Sequence, residues 1–358
     1  MHIEHIFLKD FRNFEQLSLE TSRQGAFFVG DNGAGKTNIL ESIYFASIFR
    51  SFRERQIRNL IKDRCEAFFI RIQGDFGDNR QIEIGIDRHF ERNIKLDEVF
   101  VSKITEIVSV LKVIFLGPND VNLLTGSPEK RRQQFDIFLS SNKEYIENLI
   151  KYQSVLKERN AYLKRKSIDR NLEDVQSEML VDLAVPIWET RMSLIEDLRK
   201  PLTELAASLL SEDLDIEIRH KIGLQSELCN MENIREAYAE SLKKSFEYDL
   251  NQGFTQYGPH RDDYEFLIGK KPLSIYGSQG QIRCVVTSLK IAFASIQDRK
   301  PILLLDEIFA ELDYDRQNLL IEIVRDRYQC FFCSANLIPQ LKIYPLFKVD
   351  KGEVSKID

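Results

Sequence analysis

No stretch of this 358-residue chain approaches the about 18 consecutive apolar residues of a membrane-spanning helix, so none is expected. The opening Met1–Leu8 alternates polar and apolar side chains like a strand. It lacks the continuous apolar core of a secretory signal. An excess of positive charge is missing too. Fifty Lys and Arg stand against 56 Asp and Glu, a net of −6, which excludes a protein coated in positive charge. Any contact with nucleic acid must come from a local patch. Cysteine is sparse and unpatterned: five residues, at 65, 229, 284, 330 and 333, form no disulfide framework. Cys330 and Cys333 match C-x-x-C, but Tyr328–Ser334 reads as a buried strand, on which residues three apart face opposite sides. They are read as small core side chains rather than a redox or metal pair. The expected compartment is reducing, the cytoplasm. Internal repeats, low-complexity tracts and sustained heptads are also lacking, and the last excludes a long coiled-coil arm.

What the chain does have is a 43% hydrophobic composition, enough for a large core and about two lobes. It also has Gly30-Asp31-Asn32-Gly33-Ala34-Gly35-Lys36-Thr37, which fits the phosphate-loop pattern G-x-x-x-x-G-K-[ST] at every fixed position. The short apolar run Ala26–Val29 precedes it as a buried strand should. Ile39, Leu40, Ile43, Tyr44 and Ser47 follow at helical spacing. A strand, a glycine loop and a helix N-terminus make an anion cradle of backbone N–H groups backed by the helix dipole. Lys36 is expected to reach the outer phosphates of a nucleoside triphosphate and the Thr37 hydroxyl to ligate Mg²⁺. A glycine-rich turn before an ordinary helix is the plainer alternative.

Along the chain, residues 2–8, 16–20 and 26–29 read as strands, with Lys9–Phe14 as the first turn and a helix over 36–49. Short alternating runs between 66 and 101 predict an antiparallel meander, and Val110–Leu116 a buried strand closed by Gly117-Pro118. From 119 to 257 long charged segments with apolar residues at three and four spacing predict a helical lobe, its helices broken or restarted at Pro186 and Pro201. The core is expected to resume at 258 with a hairpin of Asp263–Ile268 and Lys271–Ile275. A helix (280–295), a strand (302–305), a helix (315–326), a strand (329–334) and a terminal strand pair around Asp350-Lys351-Gly352 follow. The reading is therefore α/β, with lobe I made of 1–118 and 258–358 and lobe II of 119–257.

Pro301–Leu305 is an apolar strand ending in Asp306-Glu307. An aspartate there holds Mg²⁺ in phosphate-loop enzymes. The glutamate after it can orient and deprotonate an attacking water, which makes Glu307 and Lys36 the catalytic candidates. Ser278, Gly280 and Gln281 open the helix at 280 with a hydroxyl, backbone N–H groups and a positive dipole end. They form either a helix cap or a second phosphate-binding surface. A second surface suggests composite sites across a homodimer. Two basic patches could meet DNA: Arg50–Arg64, with Arg53, Arg55 and Arg58, and Lys151–Arg170, with Arg159, Lys164, Arg165 and Lys166. Charge runs of this kind are usually solvated faces, and Arg131 and Arg132 read equally as a solvated face or as a phosphate contact.

The phosphate loop, Ser278-Gln-Gly-Gln281, Leu303-Leu-Leu-Asp-Glu307 and Ala310-Glu-Leu-Asp313, in this order around a helical insertion, resemble an ABC-type ATPase head of the SMC kind. More narrowly, the chain is similar to the RecF family of bacterial recombination mediators. Leu8–Phe14, Gly126–Arg132 and Gly258–Asp263 carry that match. The resemblance implies a P-loop ATPase core with an inserted helical lobe and no long coiled coil. It also implies weak, DNA-stimulated ATP hydrolysis used as a switch and an ATP-dependent homodimer. Further implications are binding to duplex or gapped DNA without sequence preference, partners RecO and RecR, and roles in repair, recombination, replication and the SOS response. The chain departs from the family in having Glu307 where a second aspartate is common. It also has Asn336 in the loop where ABC ATPases usually carry histidine. A membrane transporter's ATPase subunit and an SMC-type structural head share part of the pattern, but Lys9–Phe14 and the long insertion favour the recombination reading.

Overall fold

The computed structural model describes residues 1–357 apart from 109, 166–169, 213–214 and 225–232, and the side-chain surroundings of all of these but 170, 310 and 311. Lys166 and Cys229 of the sequence reading lie outside the described residues. In chain order the first strands are β1 (His2–Phe11), β2 (Phe14–Glu20), β3 (Gly25–Val29), β4 (Ala67–Asp75), β5 (Gln81–Asp87), β6 (Arg92–Leu96), β7 (Val99–Phe100) and β8 (Val113–Leu116). The insertion holds β9 (Ile216–Lys221), β10 (Asp263–Ile268) and β11 (Lys271–Pro272). The chain then returns through β12 (Ile302–Asp306), β13 (Cys330–Ser334), β14 (Leu346–Asp350) and β15 (Glu353–Ile357). No helix among the described residues is long and apolar enough to cross a membrane.

Two compact units are present, Met1–Asp120 with Lys290–Asp358, and Val121–Leu289. The expected return to the core at 258 is therefore corrected to 290. The physical reason is pairing: β10 runs antiparallel to β9 from Asp263↔Lys221 to Ile268↔Ile216, which ties the 263–272 hairpin to the insertion.

The first unit contains two six-stranded sheets. One is an antiparallel meander in the order β2-β1-β4-β5-β6-β7. Alternation is strict along β4 and β5: Ile70 and Ile84 face the core in register with Leu8 of β1, while Arg71 and Glu83 line the outer face with Phe7. The other sheet has the order β15-β14-β3-β13-β12-β8, all parallel except the edge strand β15. Strands β12 and β13 are buried at every position, which explains their unbroken apolar runs Ile302–Leu305 and Cys330–Cys333. Cys330 and Cys333 are buried free thiols on the latter. Helix Lys36–Ile48 touches strands of both sheets and is accordingly buried nearly all round, from Ile39 through Ser47.

The second unit packs helices Lys143–Arg165, Arg170–Leu210 and Ile234–Gln252 together, with the three-stranded sheet β11-β10-β9. Helix Arg170–Leu210 runs 41 residues straight through Pro186 and Pro201, so the expected break at each proline is corrected. Each proline costs about 3 kcal/mol in a helix interior. Burial of Ile187, Trp188, Leu198 and Leu202 around them outweighs that cost. Here too the stretches 126–132 and 258–263 meet. Arg131 clamps Asp263 bidentately at 2.6 and 3.0 Å, and Arg132 donates to the Asp262 carbonyl at 2.6 Å. Neither reading of this pair, solvated face or phosphate contact, describes them. The fully buried Asp262 carboxylate accepts from Trp188, Arg191, His220 and the Gly223 N–H, making Gly258–Asp263 a satisfied structural network.

Candidate nucleotide site

Strand β3 delivers the chain to Gly30 at the carboxyl edge of the parallel sheet, where ligands of open α/β sheets bind. A Cβ on Gly30 would lie 2.1 Å from the Val349 carbonyl of β14, so only glycine lets the loop start this close to its neighbour. Asp31, Asn32 and Gly33 are exposed, and nothing lies within 4 Å of a Cβ built on Gly33, leaving the tip of the loop open to a ligand. Lys36 opens the helix with its ammonium folded back onto the Gly30 carbonyl at 2.7 Å and the Asp31 carbonyl at 3.1 Å. Its side chain is 4% exposed, and Nζ lies 3.7 Å from the Glu307 carboxylate.

The residues separated by some 270 positions come together as expected. Thr37 Oγ1 donates to Asp306 Oδ1 at 3.0 Å. Burial pushes the Asp306 carboxyl up to about 6, Thr37's hydrogen bond opposes the rise and the neighbouring Glu307 charge adds to it. A hydroxyl and a buried carboxylate short of compensating charge are the hard oxygen donors that a Mg²⁺ ion takes. Glu307 sits in the left-handed region at φ 52, its N–H donating to the Cys333 carbonyl at 2.9 Å. Its Oε2 accepts from the Ala335 N–H at 3.2 Å. The β13 loop therefore holds the carboxylate through backbone, and Asn336 N–H is taken up by Ser334 Oγ at 3.2 Å. With a cradle for phosphates, an ammonium, two oxygen donors for one cation and a carboxylate, the site has the groups to bind a nucleoside triphosphate and to activate water beside it.

Arg12 escaped the sequence reading as an individual contact. Its guanidinium makes two bonds, at 2.8 and 2.7 Å, to the fully buried Glu41 of helix Lys36–Ile48. Glu41 also takes the Ser51 hydroxyl, and Ser51 accepts the Arg53 N–H at 2.9 Å. This fixes the segment that carries Arg53, whose guanidinium donates to Asn38 Oδ1 at 3.2 Å. Arg53's charge also acts on Asp306, so it stands at the rim of this site. Arg55 and Arg58 are exposed, the latter bonded to Gln56. In the second unit Lys164 and Arg165 are exposed at a helix end. Arg159 is removed from that patch: it is fully buried and paired with Asp249 and Glu173 at 3.0 and 2.9 Å.

Ser278 and Gln281 form a reciprocal capping box. Ser278 Oγ accepts the Gln281 N–H at 3.2 Å, and Gln281 Oε1 accepts the Ser278 N–H at 2.9 Å. Ser278 and Gly280 remain exposed. Asp313 caps helix Tyr314–Val324 by accepting the Arg316 N–H.

The model of the RecF/RecN/SMC N-terminal domain family matches residues 2–337. The DNA replication and repair protein RecF of Clostridium perfringens is 31% identical, with 99% of both chains covered. That of Halalkalibacterium halodurans is 32% identical, covering 99% of this chain and all of its own. The chain belongs to the RecF family. A solved RecF structure, that of the recombination mediator RecF with ATP in the RecFOR pathway, superimposes with TM-score 0.92 at 28% identity, covering 100% of this chain and 98% of its own. An Smc head bound to the C-terminal winged-helix domain of ScpA shares the fold at TM-score 0.60 and 15% identity. The architecture is accordingly that of an ABC/SMC-type ATPase core with a helical insertion, and the RecF family's function is DNA replication and repair.

Proposed function

We propose that this RecF-family chain is an ATP-driven switch that holds DNA at single-strand gaps during recombinational repair and replication-fork maintenance. The observation that carries it is the meeting of Thr37 with Asp306 and of Lys36 with Glu307 at one sheet edge. Lys36 turns from the Gly30 and Asp31 carbonyls to the outer phosphates. Thr37 and Asp306 hold Mg²⁺, which when bound neutralises phosphate charge. Glu307, fixed by the Ala335 N–H, accepts the proton of the attacking water. Hydrolysis is slow, and DNA stimulates it.

Two chains share each nucleotide: the exposed Ser278 and Gly280 and the half-buried Gln281 of one cap the phosphates held by the other, in an isologous dimer. ATP binds the closed dimer better than separate chains and so drives association. Arg55, Arg58, Lys164 and Arg165 supply backbone contacts to DNA without base reading. RecO and RecR are the expected partners, since the ATP-bound relative is described within the RecFOR pathway. The site of action is the cytoplasm. Binding of the purified chain to gapped duplex, with and without ATP, tests the reading: ATP should tighten it at least tenfold. Ser278→Arg should keep ATP binding but lose dimerisation and hydrolysis, and wild-type hydrolysis by that variant refutes shared sites.

A further inference from the structure

We propose that Asn13 aims one of the backbone donors that grip the phosphates, and is thus a positioning residue for nucleotide binding; this rests on the ATP reading above. Asn13 lies in the turn between β1 and β2. Its Nδ2 donates to the Ala34 carbonyl in the middle of the phosphate loop at 2.9 Å. Its Oδ1 accepts from Asn38 Nδ2, one turn into the following helix, at 2.7 Å. A carbonyl can only accept, so the orientation of the Asn13 amide is forced. The Ala34 oxygen takes a second donor, the Gly352 N–H, at 3.1 Å from the turn between β14 and β15. Two hairpin turns, from opposite ends of the chain, therefore converge on one peptide oxygen.

The consequence follows from peptide geometry. In a trans peptide the carbonyl and the next N–H point in opposite directions. Drawing the Ala34 oxygen toward Asn13 and Gly352 turns the Gly35 N–H the other way, as a donor at the N-terminus of helix Lys36–Ile48, where such groups meet anions. Gly35 is obliged to be glycine by the same contact: a Cβ there would lie 2.6 Å from Asn13 Nδ2, and its φ is +119. Because Asn13 grips the loop with its donor and the helix with its acceptor, it also fixes the separation of the two. An aspartate has the same shape and keeps the acceptor, but presents an oxygen to the Ala34 oxygen.

The experiment measures affinity for Mg²⁺-ATP and for inorganic tripolyphosphate, together with the melting temperature of the ligand-free protein. Asn13→Asp should weaken both ligands by about tenfold, the loss of one hydrogen bond to the loop, while melting falls by no more than about 2–4 °C, the share of that one bond. Asn13→Ala, which removes both ends, should do the same and serves if the aspartate variant does not fold. Asn38→Ala cuts the helix end, together with the Arg53 contact, leaves the bond to Ala34 in place and should cost less than either. Unchanged affinity overturns the proposal. So does a fall in melting temperature well beyond one bond's share, which marks a general loosening of the fold rather than the aim of one donor. Failure of the wild type to bind either ligand refutes the nucleotide reading instead.

Discussion

Lys36 and Glu307 lie 3.7 Å apart, yet their loss has opposite signatures. Lys36→Met removes the ammonium meant for phosphate and should cost about 10- to 100-fold in ATP affinity, read by nucleotide titration. Glu307→Gln keeps the shape and the bond from Ala335 but not the base, so ATP should bind normally while single-turnover hydrolysis falls about 100-fold or more. Both residues were legible in the sequence because their chemistry is written in short strings with fixed spacing. Asn13, Arg12 and Arg53 were not legible in that way. Asn13 and Arg12 act on Ala34 and Glu41, 21 and 29 positions away, across a strand pair whose register no local pattern reports. Arg53 sits in a run of positive charge, which groups it with Arg55 and Arg58, whereas its Asn38 contact separates it from them. Arg159 misled for the same reason: a charge in a basic run is indistinguishable by sequence from one buried against Asp249.

Among elements, the parallel strands were readable from their continuous apolar runs, and the meander from its alternation. Two of the failures have clear physical causes. Strand β9 is short, and its Ile216–Ile218 alternation is set among helices, so a 3.6-residue reading absorbed it. The prolines of helix Arg170–Leu210 obey a local rule that burial overrides. The turn Pro259–Arg261 carries a pH dependence for the helical unit. His260 Nε2 donates to the Thr255 carbonyl at 3.1 Å, so Nδ1 accepts from the Tyr152 hydroxyl at 2.7 Å, a fully satisfied neutral ring. Burial pushes its pKa down from 6.5 to about 4. The folded state therefore binds fewer protons than the unfolded one between those values. Stability held above pH 6.5 is lost as pH falls toward 4, by about 3 kcal/mol. Urea unfolding of the wild type and of His260→Gln across that range isolates this contribution as their difference, because the raised carboxyl of Asp306 in the first unit acts with the opposite sign over the same range.

For the whole molecule, a net charge of −6 means that DNA binding has to overcome long-range repulsion except at its patches. The affinity should then fall steeply with salt, with log K against log salt sloping by about −0.9 per phosphate contact. Charge reversal at Arg55 and Arg58, or at Lys164 and Arg165, should flatten the slope by about one unit per contact removed, measured by anisotropy on gapped duplex. A slope untouched by both variants moves the DNA surface elsewhere. Arg53 is left out of that comparison because its reversal would disturb the Asn38 contact. The arrangement of the parallel sheet has a further consequence, for synthesis. Strand β3 lies between β13 and β14, so residues 25–29 leave the ribosome some 300 positions before either flank exists. At about 5–20 residues per second, the phosphate loop waits on the order of 15 to 60 seconds with its feeding strand unpaired. A nascent chain stalled before residue 302, where β12 begins, has a complete Gly30–Thr37 string but neither Asp306 nor the β14 backbone that Gly30 rests against. Such a chain should not retain ATP, and its apolar Ala26–Phe28 segment makes it a client for chaperones until the last strands arrive.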